Sequence, residues 1–229
     1  MMNMKRLSFV LVCLLMVSIG AKAQHQLGEI IDINGVKGMV FQVDANGEHG
    51  LVMSVKRCEE KWLADKDAKF ETSSFYEDDG EKNMKVIERY IEEENQQWED
   101  FPFFKFCHEL GEGWYAPANE ELMALINFIN KGEGLKYNHK NVKELNKTLR
   151  DAGGDALWGT LKTPNLYFSS TEAEKGYAYA MTFEHNTANA LSGGAIFGIK
   201  GRYVLRPIMK SPPGGKALTA IGSRAVHKF

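Results

Sequence analysis

Period-two apolar alternation opens this chain and returns near its end, with helical spacing in between. Met39, Phe41 and Val43 alternate with Val40 and Gln42, and Leu51, Met53 and Val55 alternate with Val52 and Ser54. Asp44-Ala45-Asn46-Gly47 separates the two runs, so the pair reads as a β-hairpin with a glycine-bearing turn. Residues 65–83 are polar, contain EDDGE and read as a surface loop. Met84, Ile87, Ile91 and Trp98 then share the broad face of an amphipathic helix over 84–98. Asp100-Phe101-Pro102 starts a fresh helix that FFKFCHELG continues to Gly111 or Gly113. Asn119 is placed to cap the next helix, with Glu120 and Glu121 complementing its positive end and Leu122, Leu125, Ile126 and Ile129 as its buried stripe. NVKELNKTLRDAGG forms another, stopping at Gly153. LYFSSTE, GYAYAMTFEH and RYVLRPIM read as strands. Strands, then helices, then strands give an α+β order and not alternating βαβ units.

The first 23 residues read as a signal peptide. Lys5 and Arg6 precede the apolar run LSFVLVCLLMVSIG, and Ala21-Lys22-Ala23 supplies the small-x-small cleavage pattern. The run is too short for a membrane span. Cys13 follows Val12 in mid-run, which does not match a lipoprotein signal. The expectation is an exported protein, periplasmic, surface-bound or secreted, with no transmembrane segment in the mature chain. Removing residues 1–23 leaves 25 basic against 30 acidic residues, a net charge of −5. That balance argues against a nucleic-acid surface, which needs clustered Lys and Arg. The remainder divides into one domain over 24–210 and a basic tail over 211–229 opened by Pro-Pro-Gly-Gly, with the character of a flexible linker. YVLRPIMK and SRAVHKF faintly echo one another across that divide.

No motif names a reaction. His108-Glu109 begins like a zinc-protease helix, but Glu112 stands where the second histidine belongs. Counting from Asp44, the position of the bidentate glutamate of an EF-hand holds Val55. Ser169-Ser170-Thr171 lacks the glycine-flanked elbow of a serine hydrolase. AGGDALWG and SGGAIFGIKG read as loops, without the context of a phosphate cradle. No cofactor is evident and no metal set is assigned; calcium is a possibility without support from the residues.

Several of these stretches together resemble a family of secreted bacterial domains with a C-type-lectin-like fold. GEIIDINGVKGMVFQVDANGEHGLVMSV resembles that family's first hairpin, and FKFCHELGEGWYAPANEEL its helix, Gly-Trp corner and second helix. LYFSSTE resembles its Tyr-Trp-Ser-Ser-Thr-Glu strand, and YVLRPI its closing Val-Arg-Pro-Val strand. Ala116 and Phe168 depart from the usual Leu and Trp. The resemblance covers roughly residues 27–209 in one order. It implies an N-terminal hairpin, two to three helices and a late antiparallel sheet. Trp114, Pro117 and Asn119 then form a structural corner.

Relatives of the fold include lectins, phage receptor-binding tips and formylglycine-generating enzymes. The lectin calcium triplets Glu-Pro-Asn, Gln-Pro-Asp and Trp-Asn-Asp are absent from the sequence. The resemblance implies a non-enzymatic binding or adhesion module whose loops meet a glycan or protein partner. The alternatives are a degenerate oxidoreductase relative or a cell-envelope structural component. Loops at 131–165 and 185–201 would carry recognition, which makes Trp158, His185, Asn186 and Asn189 the candidate ligand-binding residues. Cys58 and Cys107 are candidates for a disulfide, with a buried free pair as the competing expectation.

Overall fold

A computed structural model describes residues 24–60, 62–64, 71–132, 138–157, 166–174, 177–182, 202–205 and 223–229. The fold is α+β, with antiparallel sheets and four α-helices among these residues. β1 (Ile30–Ile33) and β2 (Val36–Val43) meet across a two-residue turn at Asn34 and Gly35, both at positive φ. β2 returns as β3 (Gly50–Ser54), with Met39 opposite Met53 and a register shift between Val40 and Gln42. Asp44 ties the β2–β3 turn by accepting from the N–H groups of Asn46 and Glu48.

Helices fill the middle of the chain. α1 (Gly80–Glu93) is capped by Asp79, whose carboxylate accepts from the Lys82 N–H. It buries Met84, Ile87 and Ile91. The expected continuation to Trp98 does not occur. Asn95 turns to φ +50° and the chain leaves the helix, so Trp98 instead begins a 3₁₀ turn and stacks on His108 at 4.3 Å. α2 (Pro102–Glu109) starts at its proline, which needs no hydrogen-bonded N–H there. β4 (Trp114–Tyr115), α3 (Asn119–Ile129) and α4 (His139–Asp151) follow, α4 capped by the Asn138 side chain. β5 (Leu166–Glu174), β6 (Tyr177–Thr182) and β7 (Arg202–Leu205) make a separate three-stranded sheet.

Of the expected tail over 211–229, the described residues 223–229 belong to the fold. Val226–Lys228 is β8, paired antiparallel between β3 and β4, so the main sheet runs β1-β2-β3-β8-β4. The sequence reading assigned closure to YVLRPI and ended the domain at 210. The strand that closes onto the N-terminal hairpin is β8, and the described elements between β4 and β8 lie outside this sheet. Arg224 anchors the return. It is 1% exposed, and its guanidinium donates to the carbonyls of Ser54, Val55, Asp155 and Ala156 at 2.7–3.1 Å. Helices and sheets share one core, in which Trp62 donates from its indole to the Ser169 carbonyl and meets Phe104 edge-on at 4.8 Å.

Candidate functional site

The segment from Thr72 to Gly80 leads into α1, and its backbone is held almost residue by residue. The Thr72 N–H donates to both oxygens of Glu172 on β5, at 3.1 Å each, and the Ser73 N–H donates at 3.0 Å. The Ser74 hydroxyl donates to the Ser170 carbonyl, and the Glu172 N–H returns a bond to the Ser74 carbonyl. Asn83 pairs with Tyr76 as a neighbouring strand would. Its Oδ1 accepts from the Tyr76 N–H, and its Nδ2 donates to the Tyr76 carbonyl at 2.7 Å. Thr171 Oγ1 donates to the same carbonyl, and the Glu120 N–H donates to the carbonyl of Glu77.

The far end is fixed by a second buried carboxylate. Glu121 accepts from the N–H groups of Gly80 and Ala118 and from the Tyr115 hydroxyl. Gly80 must be glycine for this approach. A Cβ there would lie 2.5 Å from the Ala116 carbonyl oxygen and 2.7 Å from Glu121 Oε2. Burial raises the carboxyl pKa of both Glu172 and Glu121, against the opposing pull of their N–H donors.

On this held backbone Phe75 and Tyr76 project into solvent, 47% and 45% exposed. Among the described residues only Leu27 is a comparably exposed large apolar side chain. Lys82 lies over the Tyr76 ring, 5.5 Å from its centroid. Exposed rings on a loop this tightly bonded are pre-ordered contact area, because a partner would have little left to immobilise. The sequence reading passed over this loop as polar surface. A signal was present in LYFSSTE: Ser169, Ser170, Thr171 and Glu172 are consecutive polar residues in a strand, and all four are buried. A strand polar on both faces and buried on both must be bonded to something, here the Thr72–Tyr76 segment.

Trp158, His185, Asn186 and Asn189 lie outside the described residues, as do residues 1–23. Trp114 and Pro117 are buried, Trp114 in β4 opposite His227, and the Pro117 carbonyl accepts from the Ser170 N–H. Asn119 does not cap α3. The N-cap is Ala118, and Asn119 is the first helical residue, its N–H donated to Thr171 Oγ1. The capping contact comes from Glu121, three residues on, because its carboxylate reaches back to the Ala118 N–H.

Cys58 and Cys107 are both free and both buried. Burial pushes the Cys58 thiol up to about 12 and holds Cys107 well above the ordinary thiol value. Both are therefore protonated thiols at neutral pH, and the thiolate is the reactive form. Among the described residues no three His, Cys, Asp or Glu side chains converge to hold a metal ion. No described helix is long and apolar enough to cross a membrane. No protein-family model matches this chain, and no curated protein matches it in sequence.

Proposed function

We propose that this chain is an exported, non-enzymatic binding module with a C-type-lectin-like fold, and that the Thr72–Gly80 segment presents Phe75 and Tyr76 to a glycan or protein partner. The observation that carries the reading is the contrast within that segment. Its backbone is bonded from both ends by Glu172 and Glu121, while its two largest side chains stay in solvent. Aromatic rings give large contact area at low entropic cost and can stack on a sugar face or fill a protein pocket. The fold reading is supported by the return of β8 between β3 and β4, which brings the two ends of the described chain into one sheet. Export rests on the charged, apolar and small-residue pattern of residues 1–23. The oxidoreductase alternative needs a reactive thiolate, and neither described thiol is placed to form one.

The test is a glycan and protein binding array, run with calcium and with chelator, on wild type and on the Phe75→Ser/Tyr76→Ser double variant. The expected result is a ligand that the double variant loses while keeping its thermal transition. A ligand held equally by the folded double variant overturns the assignment of the loop. Mass spectrometry of the protein from its native host is expected to show an N-terminus at or near Gln24. An intact Met1 overturns export.

A further inference from the structure

We infer that a second site, separate from the exposed aromatic pair, is built to hold a basic side chain of a partner peptide. The site is an open groove of about 690 Å³ between the β2–β3 turn, the first turns of α3 and the end of β8. Its apolar surface comes from Val43, Leu51, Ala124 and Phe229, and its carboxylates from Asp44, Asp78, Glu120 and Glu121, the last buried and already bonded to Gly80, Ala118 and Tyr115. The volume lies in the range of ordinary ligand sites. The Phe229 ring is fixed in place. It packs edge-on against His25 at 4.9 Å and so close to Gly50 that a Cβ on that residue would sit 2.8 Å from the ring.

Charge selects the occupant. Lys228 is the one cation of the groove lining, and its charge is already matched, with Nζ 3.1 Å from Asp79 and 3.4 Å from Glu81. Asp78 and Glu120 have no side-chain hydrogen bond or ion pair among the described residues. Asp44 accepts only from backbone N–H groups of its own turn. The groove therefore holds net negative charge beside low-dielectric walls, which concentrates the field on an incoming cation. The carboxylates do not converge at ligand distance as a metal site would require, and they line an apolar trough. That combination fits a Lys or Arg side chain, with its aliphatic stem on Leu51 and Phe229 and its charged head at Asp78 and Glu120. An apolar neighbour on the peptide would cover the rest of the floor.

The test is fluorescence anisotropy of a labelled peptide alternating arginine and leucine, titrated with the full exported protein at low salt. Saturable binding is expected, weakened about tenfold by Asp78→Asn/Glu120→Gln, since both side chains are solvent-facing and their loss leaves the fold intact. The Phe75→Ser/Tyr76→Ser variant is expected to bind this peptide as wild type does. Equal affinity in Asp78→Asn/Glu120→Gln overturns the proposal, and so does equal affinity for a peptide alternating arginine and serine, which would make the trough irrelevant. Loss of the peptide in Phe75→Ser/Tyr76→Ser would move the site to the aromatic loop. Displacement by calcium that itself requires Asp78 and Glu120 would make the groove a cation site, and this too overturns the proposal.

Discussion

Arg224 and Glu172 are both charged side chains sunk in the core, and each holds a loop by its backbone. Arg224 gathers four carbonyls at the end of β3 and after α4, while Glu172 gathers the N–H groups of Thr72 and Ser73. The two differ in what protons can do to them. Burial lowers the Arg224 pKa, but from a value so high that the guanidinium stays charged from acid to neutral pH, and the return of β8 is locked over that range. A carboxylate titrates, so the loop carrying Phe75 and Tyr76 is held by groups whose charge changes with pH and whose buried, charged form is the costlier one. The closure of the sheet and the presentation of the candidate binding loop thus use the same device with opposite sign and unequal permanence.

The largest effect is expected from Arg224→Met, which leaves the four carbonyls without their donor. A loss of about 4 kcal/mol in urea unfolding is the expected outcome. A loss below about 1 kcal/mol would show that water replaces the guanidinium and that the latch is not structural. Glu172→Gln keeps the shape but turns an amide N–H₂ toward two N–H donors. It is expected to cost about 2 kcal/mol and to speed amide exchange at Thr72 and Ser73.

The pH dependence sharpens the comparison further. Burial places the folded pKa of Glu172 above its unfolded value, so between the two the native protein binds more protons. Its contribution to stability is greatest at acid pH and is lost as pH rises through the folded pKa. Glutamine cannot take up that proton. The stability gap between wild type and Glu172→Gln is therefore expected to widen as pH falls through the raised folded pKa of Glu172. The gap for Arg224→Met should stay constant over the same range. Glu121→Gln should behave as Glu172→Gln does, since burial raises that carboxyl as well. The smallest change in stability, about 0.5 kcal/mol, is expected for Phe75→Ser/Tyr76→Ser, whose side chains are about half exposed.

Local patterns were readable from the residues, and non-local ones were not. The β2–β3 hairpin, the α4 stripe and the three late strands follow from alternation and helical spacing over short windows. The β8 strand has only three residues and follows Pro-Pro-Gly-Gly, so nothing within a short window separates it from a tail. Its strand character comes from pairing with Leu51, Val52 and Met53 far upstream. The faint echo of YVLRPIMK in SRAVHKF pointed that way, since both hold strands, although in different sheets. The candidate loop was hidden for another reason. Charged residues are normally exposed, so Glu121 was legible only as a helix-end charge and Glu172 only as part of the LYFSSTE strand, and only their burial shows that they organise a backbone.

The position of β8 also sets an order of events during folding. Arg224 and its acceptor Ser54 are separated by 170 residues, so the main sheet can be completed only after nearly the whole described chain is available. Contacts this distant in sequence slow folding, since the intervening chain must be closed into a loop before they form. Until then the edge of β3 from Leu51 to Met53 stands open, an apolar strand with its N–H and C=O groups unpaired on one side. Any strand that reaches that edge first, including one from a neighbouring copy, competes with β8 for it. The yield of native protein should therefore fall with concentration during refolding, and the last seven residues are the ones whose arrival ends the risk.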